Sequence, residues 1–408
     1  MAKLDLDFVR AQFPAFEVPS LQGQAFFENA GGSYTCRQVI DRLHRFYTER
    51  KVQPYAPYTA SSLGGAEMDE ARTRLSAIMG IDADELSFGP SSSQNTYVLA
   101  QAFAQWMKPG DAFIVTNQDH EANTGPWRRL AERGFEMREW KINPDTGHLD
   151  PADLANLLDD KVRLVAFPHC SNVVGEINDV AAICELVHEA GAVACVDGVS
   201  YAPHGIPNVA DLGADIYLFS AYKTYGPHQG IMAIRRDLGM TLPNQGHHFN
   251  ADCLYKRFTP AGPDHAQVAA SAGMADYIDA LYAHHIGGEA ATVAKGAAVH
   301  DLMRAHEVEL LQPLLDYASA KNSVRLIGPS DAALRAPTVA LALQSGAEAA
   351  AADLAAHGIM AGGGDFYAGR ALRAMGVAAD KGVLRVSFVH YTSKDEVDRL
   401  ISALDQVV

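Results

Sequence analysis

Between residues 86 and 236 the chain alternates short apolar runs with longer stretches whose apolar residues recur every three or four positions. The runs at 86–89, 112–116, 162–168, 192–197, 215–221 and 230–234 predict strands. Several are apolar on consecutive positions, as strands covered on both faces are. The intervening stretches at 92–106, 125–133, 151–158 and 180–190 predict helices. Strands joined by crossover helices form a wound, mostly parallel α/β sheet.

After about residue 264 the pattern changes. Helical stretches at 266–282 and from 288 to about 321 lead to strands at 323–327 and 338–343 and a helix near 347–357. A glycine-rich loop at 362–364, read as a flexible lid or tight turn, precedes a strand at 383–388 and a last helix from Ser393. This order predicts a smaller α+β domain. The expected division is an N-terminal segment, 1–20, docking on the small domain, a large domain over 21–285, and a small domain over 286–408. No internal repeat is visible.

Composition narrows the function classes. The 408 residues are 48% apolar and 20% charged, the profile of a soluble globular enzyme. A formal net charge of −16 repels phosphate backbones and anionic lipid, so neither nucleic acid nor membrane is expected as a partner. The five cysteines show no CxxC or other ligand spacing, so no metal site is expected and a reducing cytoplasmic setting fits. The first residues mix charges into apolar positions and lack a signal-peptide core, and no apolar run is long enough to span a bilayer.

The chemistry concentrates between Ala192 and Gly230. Asp197 ends one apolar run, and Lys223 follows the end of another, flanked by Ser220 and by Tyr225-Gly226-Pro227. In a wound sheet the carboxyl ends of strands line the ligand crevice, so both side chains are expected to face it. Taken singly, each has an ordinary role, a solvated lysine or a helix-capping acid.

Four segments together carry a resemblance: DHEAN at 119–123, SNVVG at 171–175, VDG at 196–198 and SAYKTYGP at 220–227. Their order is similar to that of the class V aminotransferase branch of fold-type-I pyridoxal phosphate enzymes, and within it the cysteine desulfurase-like group. The resemblance implies a fold-type-I large domain plus a smaller α+β domain, pyridoxal 5'-phosphate as cofactor, and an amino acid substrate. It implies that Lys223 holds the cofactor covalently and then moves the proton at the substrate α-carbon, and that Asp197 keeps the pyridine nitrogen protonated. His120 corresponds to the ring that stacks on the cofactor and Asn172 to the side chain at its 3′-oxygen. Ser92, Ser93 and Gln94, opening a helix, would hold the phosphate with the hydroxyl of Ser220. Ser200 stands at a cofactor-facing position, and Arg385 matches the arginine that clamps the substrate carboxylate. Asn29 and Gly31 fall in the expected substrate region. Tyr55, Tyr58, Tyr222, Phe366 and Tyr367 could supply an aromatic wall, or serve as core packing. A homodimer is implied, with Arg257-Phe258 and Ala261-Gly262-Pro263 resembling the segment that reaches the neighbour's cofactor phosphate.

The pattern departs from desulfurases in three places. Their catalytic cysteine lies on a small-domain loop, and the corresponding stretch here, 360–376, contains none; no cysteine follows Cys253. The residue before the lysine is Tyr222 where desulfurases commonly have histidine, and Ser200 stands where a glutamine or histidine is frequent. Elimination from a cysteine-like amino acid, which needs no protein thiol, is therefore the expected chemistry. Transamination or epimerisation is the alternative, and a non-catalytic scaffold the remote one.

Overall fold

Each apolar run in the first part of the chain becomes a strand in the computed structural model, which describes residues 2–408. The strands, numbered along the chain, are β1 (Ala25–Phe26), β2 (Leu86–Gly89), β3 (Ala112–Thr116), β4 (Glu136–Trp140), β5 (Val162–Pro168), β6 (Val193–Asp197), β7 (Ile216–Ser220), β8 (Gly230–Ile234), β9 (Val324–Ile327), β10 (Thr338–Leu343), β11 (Ile359–Met360), β12 (Gly362–Gly364) and β13 (Val383–Ser387).

Seven of them form the large sheet in the order β2-β8-β7-β6-β5-β3-β4. Pairs from β7 to β4 are parallel, whereas β8 runs antiparallel to both of its neighbours. The buried strands β2, β3, β7 and β8 are covered at every position, which explains their unbroken apolar runs. Strand β4 gave no such signal. It lies at the sheet edge, and its Glu136, Arg138 and Glu139 keep their polar ends toward solvent or partner charges.

The smaller sheet is antiparallel, in the order β12-β13-β10-β9. Here one expectation is corrected: residues Gly362–Gly364 are a strand rather than a free loop, paired through Gly362–Arg385 and Gly364–Val383. A β ladder is made by backbone groups, so side-chain patterning cannot reveal it. The missing side chain has a use at Gly363, where a Cβ would come within 2.4 Å of the Ala347 backbone in the helix packed on the strand.

Three features join the parts. Strand β1 pairs parallel with β11, so chain entering from the N-terminus adds to the small domain before crossing to the cavity. Phe13 is fully buried and meets Tyr225 and Tyr277 of the large domain and Tyr391 near the C-terminus, while Arg10 pairs with Glu396. The N-terminal segment thus touches residues from the middle and from the end of the chain. The helix Thr292–Ala320 sits with Val299, Leu302 and Met303 in the larger apolar core, which holds residues of the seven-stranded sheet, and with Leu310, Leu314 and Ala318 in the core beside the small sheet. Among the described residues no helix is long and apolar enough to cross a membrane.

Candidate active site

A cavity of about 570 Å³ opens where the carboxyl ends of β5, β6 and β7 meet the start of the helix Ser92–Trp106, and Lys223, Asp197, His120, Ser92, Ser93, Ser200, Ser220, Asn172, Gly31 and Arg385 line it. Its size is that of a small-molecule site. Parallel winding explains the convergence: each strand ends on the same side of the sheet, and the residue after it turns into the crevice.

Lys223 ends a short helical turn directly after β7. The turn is buckled to the N-terminal segment, since Ser33 N–H donates to the Tyr222 carbonyl at 3.0 Å and Ser33 Oγ accepts from Tyr225 N–H at 2.7 Å. Tyr225 takes a positive φ of 57° to complete this turn. Lys223 is buried, and burial together with Arg385 pushes its ammonium down to about 8, against the pull of Asp197 and Glu28. Asp197 ends β6; its Oδ1 accepts from Val199 N–H at 2.8 Å, and burial raises its carboxyl to about 6. It therefore remains an anion at neutral pH.

His120 caps the helix Glu121–Arg128, with Nδ1 accepting from Ala122 N–H at 3.0 Å. That bond assigns the remaining ring proton to Nε2. Burial and the nearby cations Lys223 and Arg385 push its pKa down to about 3, so the ring is neutral. Behind it Asp119 accepts from Thr116 Oγ1 at 2.6 Å and from Asn123 Nδ2 at 3.0 Å, which gives DHEAN a scaffolding role on either side of the histidine.

At the helix start, Ser91 Oγ caps the Gln94 N–H at 3.1 Å, and Ser92 Oγ lies 2.9 Å from Ser220 Oγ. Two hydroxyls and a 15-residue helix terminus thus face one point. Gly230 permits the approach: a Cβ there would stand 2.2 Å from the Ser91 carbonyl carbon and 2.4 Å from Ser92 N. Gly230→Ala is accordingly expected to push the helix start away, at about 1–3 kcal/mol of stability. Thermal unfolding of the holo and apo proteins should show a larger loss in the holo form, because the shifted groups are those facing the cavity.

The opposite wall comes from the small domain. Arg385 on β13 is buried, donates to Glu28 Oε1 at 2.6 Å and to the Asn172 carbonyl at 3.3 Å, and lies 3.8 Å above the Phe366 ring. Phe366 and Tyr367 both have positive φ, 51° and 57°, which marks a strained turn. Its two carbonyls are held, Phe366 by Asn172 Nδ2 at 2.9 Å and Tyr367 by Glu121 N–H at 2.8 Å. Tyr222 also lines the cavity, stacked on His228 with centroids 4.8 Å apart.

Other expected residues stand elsewhere. Gln94 is exposed and its N–H is taken by the Ser91 cap. Asn29 is buried beside the cavity and accepts from Tyr391 OH at 2.7 Å. Tyr55 and Tyr58 are about half exposed and do not line this cavity; Tyr55 OH bonds Asp69 instead. Gly262 has open space around it, and Arg257 turns inward to the carbonyls of Gly239 and Leu242. Sequence reading missed Glu28 and Tyr97, which line the cavity, and the signal for Glu28 was its place immediately before Asn29 and Gly31.

The family model described as aminotransferase class-V matches residues 25–400. An aminotransferase-like protein, FGM3, from Gibberella zeae is 35% identical, with 100% of this chain and 99% of that one covered. A cysteine desulfurase of Pectobacterium atrosepticum is 29% identical over 98% of each chain. The apo structure of a cysteine desulfurase from Thermococcus onnurineus superposes with a TM-score of 0.85 at 23% identity, covering 100% of this chain and 99% of that one. The Escherichia coli cysteine desulfurase CsdA superposes with a TM-score of 0.81 at 22% identity, over 99% and 98% of the two chains.

Proposed function

The chain belongs to the aminotransferase class-V family, and from that premise we propose that it cleaves a carbon–sulfur bond in a cysteine-like amino acid by elimination. It has the fold of the cysteine desulfurases and is a pyridoxal phosphate-dependent enzyme. The residues present suit that cofactor: a buried acid for a pyridinium, a helix terminus with two hydroxyls for a phosphate, a flanking neutral histidine and a lysine of lowered pKa line the same cavity. When bound, the cofactor supplies an electron sink for negative charge at the substrate α-carbon.

In this reading Lys223 would hold the cofactor in the resting enzyme and would take the substrate α-proton; its lowered pKa makes the neutral amine available. Asp197 would hold the ring nitrogen protonated, Ser92, Ser93 and Ser220 would hold the phosphate, and His120 would flank the ring. Arg385 receives the substrate carboxylate. The observation that carries elimination over sulfur transfer to the protein is the state of the thiols. The stretch 360–376 has no cysteine, and Cys170, the only cysteine among the described residues that lines the cavity, is buried, donates to the Gly175 carbonyl at 3.2 Å and is pushed up to about 12. Elimination asks for no protein thiolate.

Transamination is the second reading, favoured by the FGM3 relative's designation as aminotransferase-like. Incubation with a panel of amino acids separates the two: sulfide with pyruvate supports elimination, whereas a 2-oxo acid with conversion of the cofactor to its amine form overturns it. We also propose a homodimer working in the cytoplasm.

Lys223 gives a pH prediction. Only the neutral amine of Lys223 would take up the cofactor, and burial disfavours the ammonium. The rate at which apoenzyme recaptures cofactor should therefore rise with pH through about 8 and level off above it. A rate that keeps climbing to the ordinary lysine range would show that the amine is not perturbed.

A further inference from the structure

One carboxylate in the cavity has no part in the reading above. Glu28 follows β1, and its Oε1 accepts from Arg385 Nη2 at 2.6 Å. Two glycines make its room. A Cβ at Gly31 would stand 2.8 Å from Oε1, and one at Gly362 would stand 2.7 Å from Oε2. Neither glycine has a positive φ, so the backbone does not call for glycine at either place. Their missing side chains leave the Glu28 carboxylate the space it occupies.

The ion pair is also incomplete. Glu28 Oε2 and Arg385 Nε are both shut off from solvent and both lack a partner among the described residues. A guanidinium and a carboxylate ordinarily meet through two parallel bonds, and this contact has one. The arginine side chain is 4% exposed and needs a counter-charge, whereas the glutamate is 29% exposed and has cavity to turn into. Phe366 closes the other face of the guanidinium.

We propose that Glu28 is a specificity-determining residue: a resident counter-ion on Arg385 that the carboxylate of an incoming amino acid must displace. The exchange runs in the ligand's favour because its carboxylate can meet Nη2 and Nε together, the second bond that Glu28 leaves unmade. No charge is created or lost in the corner when one carboxylate replaces another. A ligand without a carboxylate leaves the pair in place. The proposal rests on Arg385 being the carboxylate site.

The test uses holoenzyme and two probes, L-alanine and ethylamine, which share an amine and differ in the carboxylate; binding is read from the cofactor's visible spectrum. Glu28→Gln, which keeps the shape and removes the charge, should tighten L-alanine roughly tenfold and leave ethylamine unchanged. Glu28→Ala, which removes the acceptor, should tighten it at least as much, with an unaltered cofactor spectrum reporting an intact site. Unchanged or weakened L-alanine binding in both variants overturns the proposal, as does an equal change for both probes. Arg385→Gln distinguishes the underlying reading. If it leaves L-alanine binding unchanged in the otherwise native enzyme, Arg385 is not the carboxylate site and the exchange falls with it.

Discussion

Replacing Lys223 with alanine is expected to give a folded protein with no covalently held cofactor and no measurable turnover. The side chain makes no hydrogen bond that the surrounding turn depends on: the turn is held by Ser33 and by backbone bonds from Ala221 to Gln229 and from Thr224 to Ala221. Stability should therefore change little while chemistry disappears. A residue that both tethers the cofactor and moves the α-proton has no substitute in the cavity, because Arg385 does not deprotonate and His120 is already neutral with one nitrogen engaged. Borohydride reduction of the native enzyme followed by peptide mapping should place the pyridoxyl label on residue 223. A label elsewhere, or turnover in the variant, would remove the central assignment.

Asp197→Ala should fold, bind cofactor more weakly and lose several orders of magnitude in turnover. The cause is electronic. Burial raises the carboxyl only to about 6, so at neutral pH it faces the cavity as an anion able to keep a pyridine nitrogen protonated. Asp197→Asn separates charge from shape, since the amide oxygen can still accept from Val199 N–H. Equal losses in the two variants indicate that the charge is what matters. A near-normal rate for either would reduce Asp197 to a structural cap.

The sequence made the large domain legible because its strands are buried on both faces and its helices are amphipathic; the stretch 92–106 is the helix itself. It concealed β4, whose charged residues stand at an edge, and β12, which has no side chains to pattern. Site residues tied to strand ends, Asp197 and Lys223, could be placed from the order of elements. Arg385, on the opposite sheet, was reached only through resemblance, and its bond to Glu28 joins residues that local patterning cannot bring together. Tyr55 and Tyr58 show the converse: aromatic type alone suggested a wall, but their place outside this cavity depends on how the helix Thr59–Met79 packs.

The helix Thr292–Ala320 has a practical consequence for dissecting the molecule. One rod is seated in two cores, so cutting the chain at residue 285 strips Val299 and Met303 from the large-domain fragment. The complementary fragment keeps those same side chains with nothing to cover them. The buried Glu307, bonded to His204 at 3.0 Å across that divide, would lose its partner in the cut as well. Neither half is expected to be expressed, evolved or swapped by itself, and insertions in this protein belong in its exposed loops instead.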